Sequence, residues 1–150
     1  MPAKTRIVIG ADHGGFALKE KARQFLAARG CDVDDVGTHS TDSVDYPDFA
    51  KRVAERVAAK QADFGVVVCG TGLGVAMTAN KVRGIRAAPC SDTISARFAR
   101  SHNNANVLTM GGRLIDAAMA EKILEVWLAT PFEGGRHQRR VEKIHAVEDQ

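Results

Sequence analysis

Cys69 closes an apolar run, Phe64-Gly65-Val66-Val67-Val68, and opens a glycine-dense turn, Gly70-Thr71-Gly72-Leu73-Gly74. The short run, rich in β-branched residues, predicts a central strand of a parallel sheet, and residues 75–81 predict the helix that follows it. Bare backbone N–H groups at such a junction point toward whatever binds beyond the strand end. A thiol there faces the positive end of the aligned peptide dipoles, a setting that suits a proton-abstracting base or a nucleophile. Taken alone, a single cysteine at a strand end is more often a small buried hydrophobe, so its neighbours must decide.

Counting positions along the loop weighs against three familiar uses of it. A dinucleotide fingerprint needs a third glycine where Val75 stands, and a Walker loop needs Gly-Lys-Ser/Thr at its end. A cysteine phosphatase carries an arginine six positions after its cysteine to clamp a phosphoryl group, and that position is again Val75.

The elements that position the loop follow from hydrophobic periodicity. Residues 6–10 predict a first strand, and residues 16–29 a helix with Leu18, Ala22, Phe25 and Leu26 on one face and Gly30 as its stop. Residues 31–36 predict a second strand, 37–45 a polar loop, and 47–59 a helix with proline in its first turn. After the strand and helix around Cys69 come a weaker fourth strand at 85–88, a helix at about 92–100 and a fifth strand at 107–110. A long amphipathic helix then carries Ile115, Met119, Ile123, Val126 and Trp127 on one stripe, and a last helix begins near Arg136.

Alternation of five strands with helices predicts a three-layer α/β/α domain around a doubly wound parallel sheet, Rossmann-like or flavodoxin-like, spanning residues 1–150 as one unit. Such sheets bind ligands beyond the carboxyl ends of their strands. Three distant loops then share one rim: Gly10-Ala11-Asp12-His13-Gly14-Gly15, Cys69 to Gly74, and Gly111-Gly112-Arg113.

The 150 residues are 45% hydrophobic and 26% charged, enough apolar content for a core without staples. Cys31, Cys69 and Cys90 stand far apart with no C-x-x-C spacing, which suggests neither a disulfide framework nor a thiolate metal site and fits a reducing cytoplasm. The stretch from Met1 to Arg6 leads into too brief an apolar run for a signal peptide, and no run approaches membrane-spanning length. A net charge of +3, concentrated at Arg136-His137-Gln138-Arg139-Arg140, suits a small anion better than nucleic acid, for which the larger aromatic platforms would be only Trp127 and Tyr46. Arg136 and Arg140, four apart, fall on one helical face, which without other context is simply a solvated basic face.

Seven ordered motifs change that reading. Gly10-Ala11-Asp12-His13-Gly14-Gly15-Phe16, Asp45-Tyr46-Pro47, Cys69-Gly70-Thr71-Gly72-x-Gly74, Asn80-Lys81, Gly84-Ile85-Arg86-Ala87, His102-Asn103-x-x-Asn106-Val107-Leu108 and Gly134-Gly135-Arg136-His137-Gln138-x-Arg140-Val141 together closely resemble the type B ribose-5-phosphate isomerases. The likeness runs from about Arg6 to Glu148. It implies a cofactor-independent, metal-free enzyme that interconverts ribose 5-phosphate and ribulose 5-phosphate, working as a homodimer, sometimes a tetramer, with sites at the subunit interface and the C-terminal helix (about 136–147) packed there.

The resemblance also implies residue roles. Moving a carbonyl between C1 and C2 requires a base to take a proton from carbon and donors to hold the enediolate. Cys69 matches the base, the amides of Gly70, Thr71, Gly72, Leu73 and Gly74 the oxyanion site, and the Thr71 hydroxyl a relay between O1 and O2. His102 matches the acid that opens the furanose ring. Asp12 and Asn103 match groups that hold sugar hydroxyls, Tyr46 a wall, and His13, Arg113, Arg136 and Arg140 the phosphate contacts. His13 could instead be a loop-capping residue, and His39, His137 and His145 receive no role. One branch of the family replaces the cysteine with a carboxylate just after the glycines, where this chain has Val75. Relatives often carry an aromatic ring at the position of His39. Two further readings stay open: an isomerase of another sugar phosphate (allose 6-phosphate, galactose 6-phosphate or a tetrose phosphate), and a noncatalytic module that senses a sugar phosphate.

Overall fold

The computed structural model describes residues 3–150. Met1 and Pro2, part of the N-terminal stretch considered above, lie outside the described residues. Five strands alternate with helices: β1 (Arg6–Ala11), α1 (Phe16–Ala28), β2 (Asp32–Asp35), α2 (Tyr46–Ala58), β3 (Phe64–Cys69), α3 (Leu73–Ala79), β4 (Ala87–Pro89), α4 (Thr93–Ser101), β5 (Val107–Gly111), α5 (Ala117–Ala129) and α6 (Arg136–Ala146). Every strand pairing is parallel, in the order β2-β1-β3-β5-β4.

Relative to a flavodoxin-like order, in which the last two strands run 4-5, β5 moves inside and β4 takes the edge. The residues explain the exchange. All five residues of β5 are buried, whereas β4 is three residues long and ends at Pro89, which cannot donate to a ladder. Asn80 covers part of the open edge: its side-chain amide donates to the Ala87 carbonyl at 3.0 Å and its Oδ1 accepts from the Ala87 N–H at 2.8 Å.

The three central strands, β1, β3 and β5, are buried on both faces. Ile7, Ile9, Val66, Val68, Leu108 and Met110 pack against Leu18, Ala22 and Leu26 of α1, Ala96 and Ala99 of α4, and Ile123, Leu124 and Trp127 of α5. On the other face Val8, Val67 and Val107 meet Ala50, Val53 and Val57 of α2 and Val75 and Ala79 of α3. The three layers are those the alternation predicts.

Boundaries differ by a few residues. α3 begins at Leu73, two residues before the predicted start, because Gly72 takes φ +78° and turns the chain directly into the helix. Asp92 caps α4 from outside it, its carboxylate accepting from the Ser95 N–H at 2.6 Å. Ile115 precedes α5, which Asp116 caps, yet it still packs against the core. β4 starts two residues later than the Ile85-Arg86 reading.

The C-terminal helix is tied down at both ends. His137 and Val141, four apart, form its buried face, and Glu148, beyond its end, accepts from the Gly84 N–H at 3.0 Å. Gly134 and Gly135, both at positive φ, make the turn into it.

Candidate active site

β3 ends with its sulfur turned into the glycine loop. The Gly72 N–H donates to Cys69 Sγ at 3.2 Å, and the Gly72 carbonyl accepts from the Thr109 hydroxyl at 2.7 Å, anchoring the turn to β5. Thr71 Oγ1 accepts from the Leu73 N–H at 3.3 Å. The amides of Gly70, Thr71 and Gly74 find no acceptor among the described residues. Cys69 is 4% exposed and belongs to the core cluster that includes Val67 and Val75, as a small hydrophobe at a strand end would. Its other side borders a cavity of about 230 Å³ lined by Asp12, His13, Tyr46, Gly70, Thr71 and Arg113, among others.

Close backbone approaches assemble that cavity. A Cβ on Gly15 would lie 2.3 Å from the Val68 carbonyl oxygen, and one on Gly112 would lie 2.7 Å from the Gly14 oxygen, so the loops after β1, β3 and β5 meet only because these positions lack side chains. The Gly112 N–H donates to the Cys69 carbonyl at 2.8 Å and the Arg113 N–H to the Gly70 carbonyl at 2.9 Å. Arg113 lies over Gly70 and the Tyr46 ring over Gly74. Asp12 is buried, one carboxylate oxygen accepting from the Gly15 N–H at 3.0 Å. His13 accepts from the Val44 N–H at 3.2 Å through Nδ1, which pins the 37–45 loop. Its loop-capping reading and its place in the cavity therefore hold together.

His102, Asn103, Arg136 and Arg140 are elsewhere. His102 caps the C-terminus of α4, just before β5 begins opposite Gly65, whereas Cys69 pairs with Gly111 where β5 ends. They occupy opposite ends of the sheet, separated by the length of β3, roughly 17 Å at about 3.3 Å per residue. α5 returns the chain to the His102 end, where the Glu133 N–H donates to the Ser101 carbonyl at 3.0 Å and α6 starts with Arg136 exposed. The predicted site residues thus form two groups: Asp12, His13, Tyr46, Cys69 to Gly74 and Arg113 at one end, and His102, Asn103, Arg136 and Arg140 at the other.

The second group contains two residues to which the sequence assigned nothing. The His137 ring stacks on His102 with centroids 4.1 Å apart and 12° between planes, and Phe98 lies 4.7 Å from His102. His137 is 7% exposed, and its Nε2 lies 3.6 Å from a Glu133 carboxylate oxygen, an ion-pair distance slightly too long for a hydrogen bond. Burial, then the neighbouring His102 and Arg136, hold its pKa below the ordinary histidine value. The available signal was the spacing of His137 and Val141, which turns His137 inward while Arg136 and Arg140 face out. His102, Glu133 and His137 are metal-ligand types with donor atoms within 4.8 Å of one another. Stacked imidazoles, however, send their in-plane lone pairs along nearly parallel lines that do not converge on one ion, and Arg136 and Arg140 flank the group.

A doubly wound sheet with a cysteine-bearing glycine loop, a histidine and an arginine over one rim defines a class of α/β proteins suited to small phosphorylated ligands. The chain belongs to the ribose/galactose isomerase family, whose model matches residues 7–144. Ribose-5-phosphate isomerase B of Escherichia coli is 46% identical over 143 residues, covering 95% of this chain and 96% of the relative. The crystal structure of a ribose 5-phosphate isomerase from Thermotoga maritima superposes with a TM-score of 0.94 at 52% identity, covering 97% of this chain and all of that one. That of ribose-5-phosphate isomerase B from Mycoplasma genitalium with bound ribulose 5-phosphate gives 0.94 at 41% identity and covers 99% of both chains.

Proposed function

We propose that the protein interconverts D-ribose 5-phosphate and D-ribulose 5-phosphate, and that each active site joins the Cys69 group of one chain to the His102 group of a second copy. The observation that carries this reading is the Cys69 sulfur, held by the Gly72 amide beside unpaired loop amides in a cavity with His13 and Arg113. It is supported by relatives named as ribose-5-phosphate isomerases at 38–46% identity.

His102 donates a proton to the ring oxygen as the bond from C1 to that oxygen breaks, the C1 hydroxyl gives up its proton to solvent, and the furanose opens to the aldehyde. Cys69 takes the proton from C2, and the C–H electron pair becomes the C1=C2 bond of an enediolate. The amides of Gly70, Thr71 and Gly74 stabilise the charge on O1, each well-aimed donor contributing about 2.7–4 kcal/mol. Thr71 relays the proton from O2 to O1, the carbonyl forms at C2, and the thiol returns its proton to C1. Asp12 and Asn103 hold hydroxyls, Tyr46 closes the wall, and His13, Arg113, Arg136 and Arg140 grip the phosphate, whose binding orients the carbons over the sulfur. The steps require no electron acceptor or metal.

Assembly follows from the separation of the two groups: an isologous dimer brings one chain's Cys69 end to the other's His102 end twice over. α6 lies at that interface in this reading, and a tetramer would pair two such dimers. A cytoplasmic setting fits free thiols at Cys31, Cys69 and Cys90. No helix of the described residues is long and apolar enough to cross a membrane.

Incubation with ribose 5-phosphate in heavy water tests the chemistry. Deuterium at C1 or C2 is the expected result, whereas binding without label would mark a sugar-phosphate sensor. Turnover across four-, five- and six-carbon phosphates separates the pentose reading from isomerisation of another sugar.

A further inference from the structure

We propose that His137 is a positioning residue for His102, its flat ring fixing the plane of the imidazole that opens the sugar. The inference deepens the isomerase reading above and rests on it. A histidine at a helix end has a broad χ2 well, so an untethered imidazole samples many orientations. In many sites a carboxylate or carbonyl bonded to one ring nitrogen removes that freedom. Among the described residues neither nitrogen of His102 makes such a hydrogen bond, and the Glu133 carboxylate, whose oxygen comes within 4.8 Å of a His102 nitrogen, is engaged with His137 Nε2 at 3.6 Å. What holds the ring is aromatic contact: His137 stacked at 4.1 Å and 12°, and Phe98 at 4.7 Å.

Stacking fixes the plane and leaves the ring edge, which carries both nitrogens, free to meet the sugar oxygen. The supporting ring is itself packed into the fold. His137 is 7% exposed, lies in the first turn of α6 and shares its buried face with Val141. Its Nε2 faces the Glu133 carboxylate at 3.6 Å, just beyond hydrogen-bond length, so the ring edge is turned to the helix start and the ring face to His102. One helix therefore places Arg136 and Arg140 for the phosphate and His137 for the acid, which couples phosphate grip to acid alignment.

The test compares His137→Leu, which removes the flat ring, with His137→Phe, which keeps one; His137→Gln substitutes for the leucine variant should that one not fold. Each is assayed for turnover of ribose 5-phosphate, which needs ring opening, and for exchange of the C1 proton of ribulose 5-phosphate in heavy water, which does not. Loss of the ring lowers kcat on the aldose roughly tenfold to a hundredfold, the scale of a misplaced catalytic group, with KM and exchange within a few-fold of the parent. His137→Phe restores most of the loss. The proposal is overturned if phenylalanine is as damaging as leucine, if exchange falls in step with turnover, if KM rather than kcat changes, or if the non-aromatic variant turns over normally. Absence of C1 exchange in the unaltered protein would instead reject the isomerase reading itself.

Discussion

The Gly72 amide donates to Cys69 Sγ at 3.2 Å, so the sulfur fills the acceptor position in a turn whose φ of +78° favours glycine. A Cβ on Gly72 would also sit 2.9 Å from the Met110 carbonyl carbon. Strand, thiol and loop are one unit: β3 brings the sulfur to the rim, and the turn holds it where the core meets the cavity.

Replacing Cys69 with alanine should remove the base and leave the cavity. Turnover should fall at least about a thousandfold, within the range of general-base contributions, while ribose 5-phosphate still binds by calorimetry within a few-fold of the parent. A variant retaining near-normal turnover would refute the role.

His102→Asn should separate ring opening from carbon chemistry. Turnover of the cyclic aldose falls by roughly a hundredfold or more, whereas deuterium exchange at C1 of ribulose 5-phosphate persists. Equal loss of both would count against a ring-opening acid.

For Arg140→Ala the expected effect is on binding. Loss of one charge-assisted contact to phosphate raises KM about tenfold to a hundredfold with a smaller effect on kcat. An unchanged KM for the phosphorylated sugar would remove Arg140 from the phosphate site.

Cys90 gives a pH signature unrelated to catalysis. Burial pushes its thiol up to about 11, above the unfolded value near 9. Below pH 9 both states keep the proton; between 9 and 11 only the unfolded chain releases it, so stability falls across that window, by about 2–3 kcal/mol for a shift of this size. Denaturant unfolding of Cys90→Ala should show a shallower alkaline decline than the parent. Parallel declines would contradict the assignment.

Much of this was legible because local pattern and tertiary role coincide. Val66, Val67 and Val68 read as a buried strand from composition alone, and the glycine turn after them as a run of bare amides facing a ligand; that Gly15 and Gly112 let the loops meet needed the structure. The strand exchange was not legible, since Ala87-Ala88-Pro89 and Val107-Leu108 are both short apolar runs and only packing decides which lies inside. Nor could periodicity show that Cys69 and His102 sit at opposite ends of one sheet; that follows from counting whether each ends a strand or a helix. Nothing in the sequence marks His137 as a stacking partner, because the ring it stacks on, His102, lies 35 positions away in the chain.

The composite site is tested most directly by mixing. Cys69→Ala and His102→Asn, each inactive alone, are unfolded together and refolded. If one chain supplies the thiol and another the imidazole, the mixed dimer holds one site with both intact, and random pairing returns about a quarter of parental activity. Activity staying at the level of the separate variants would contradict the shared site.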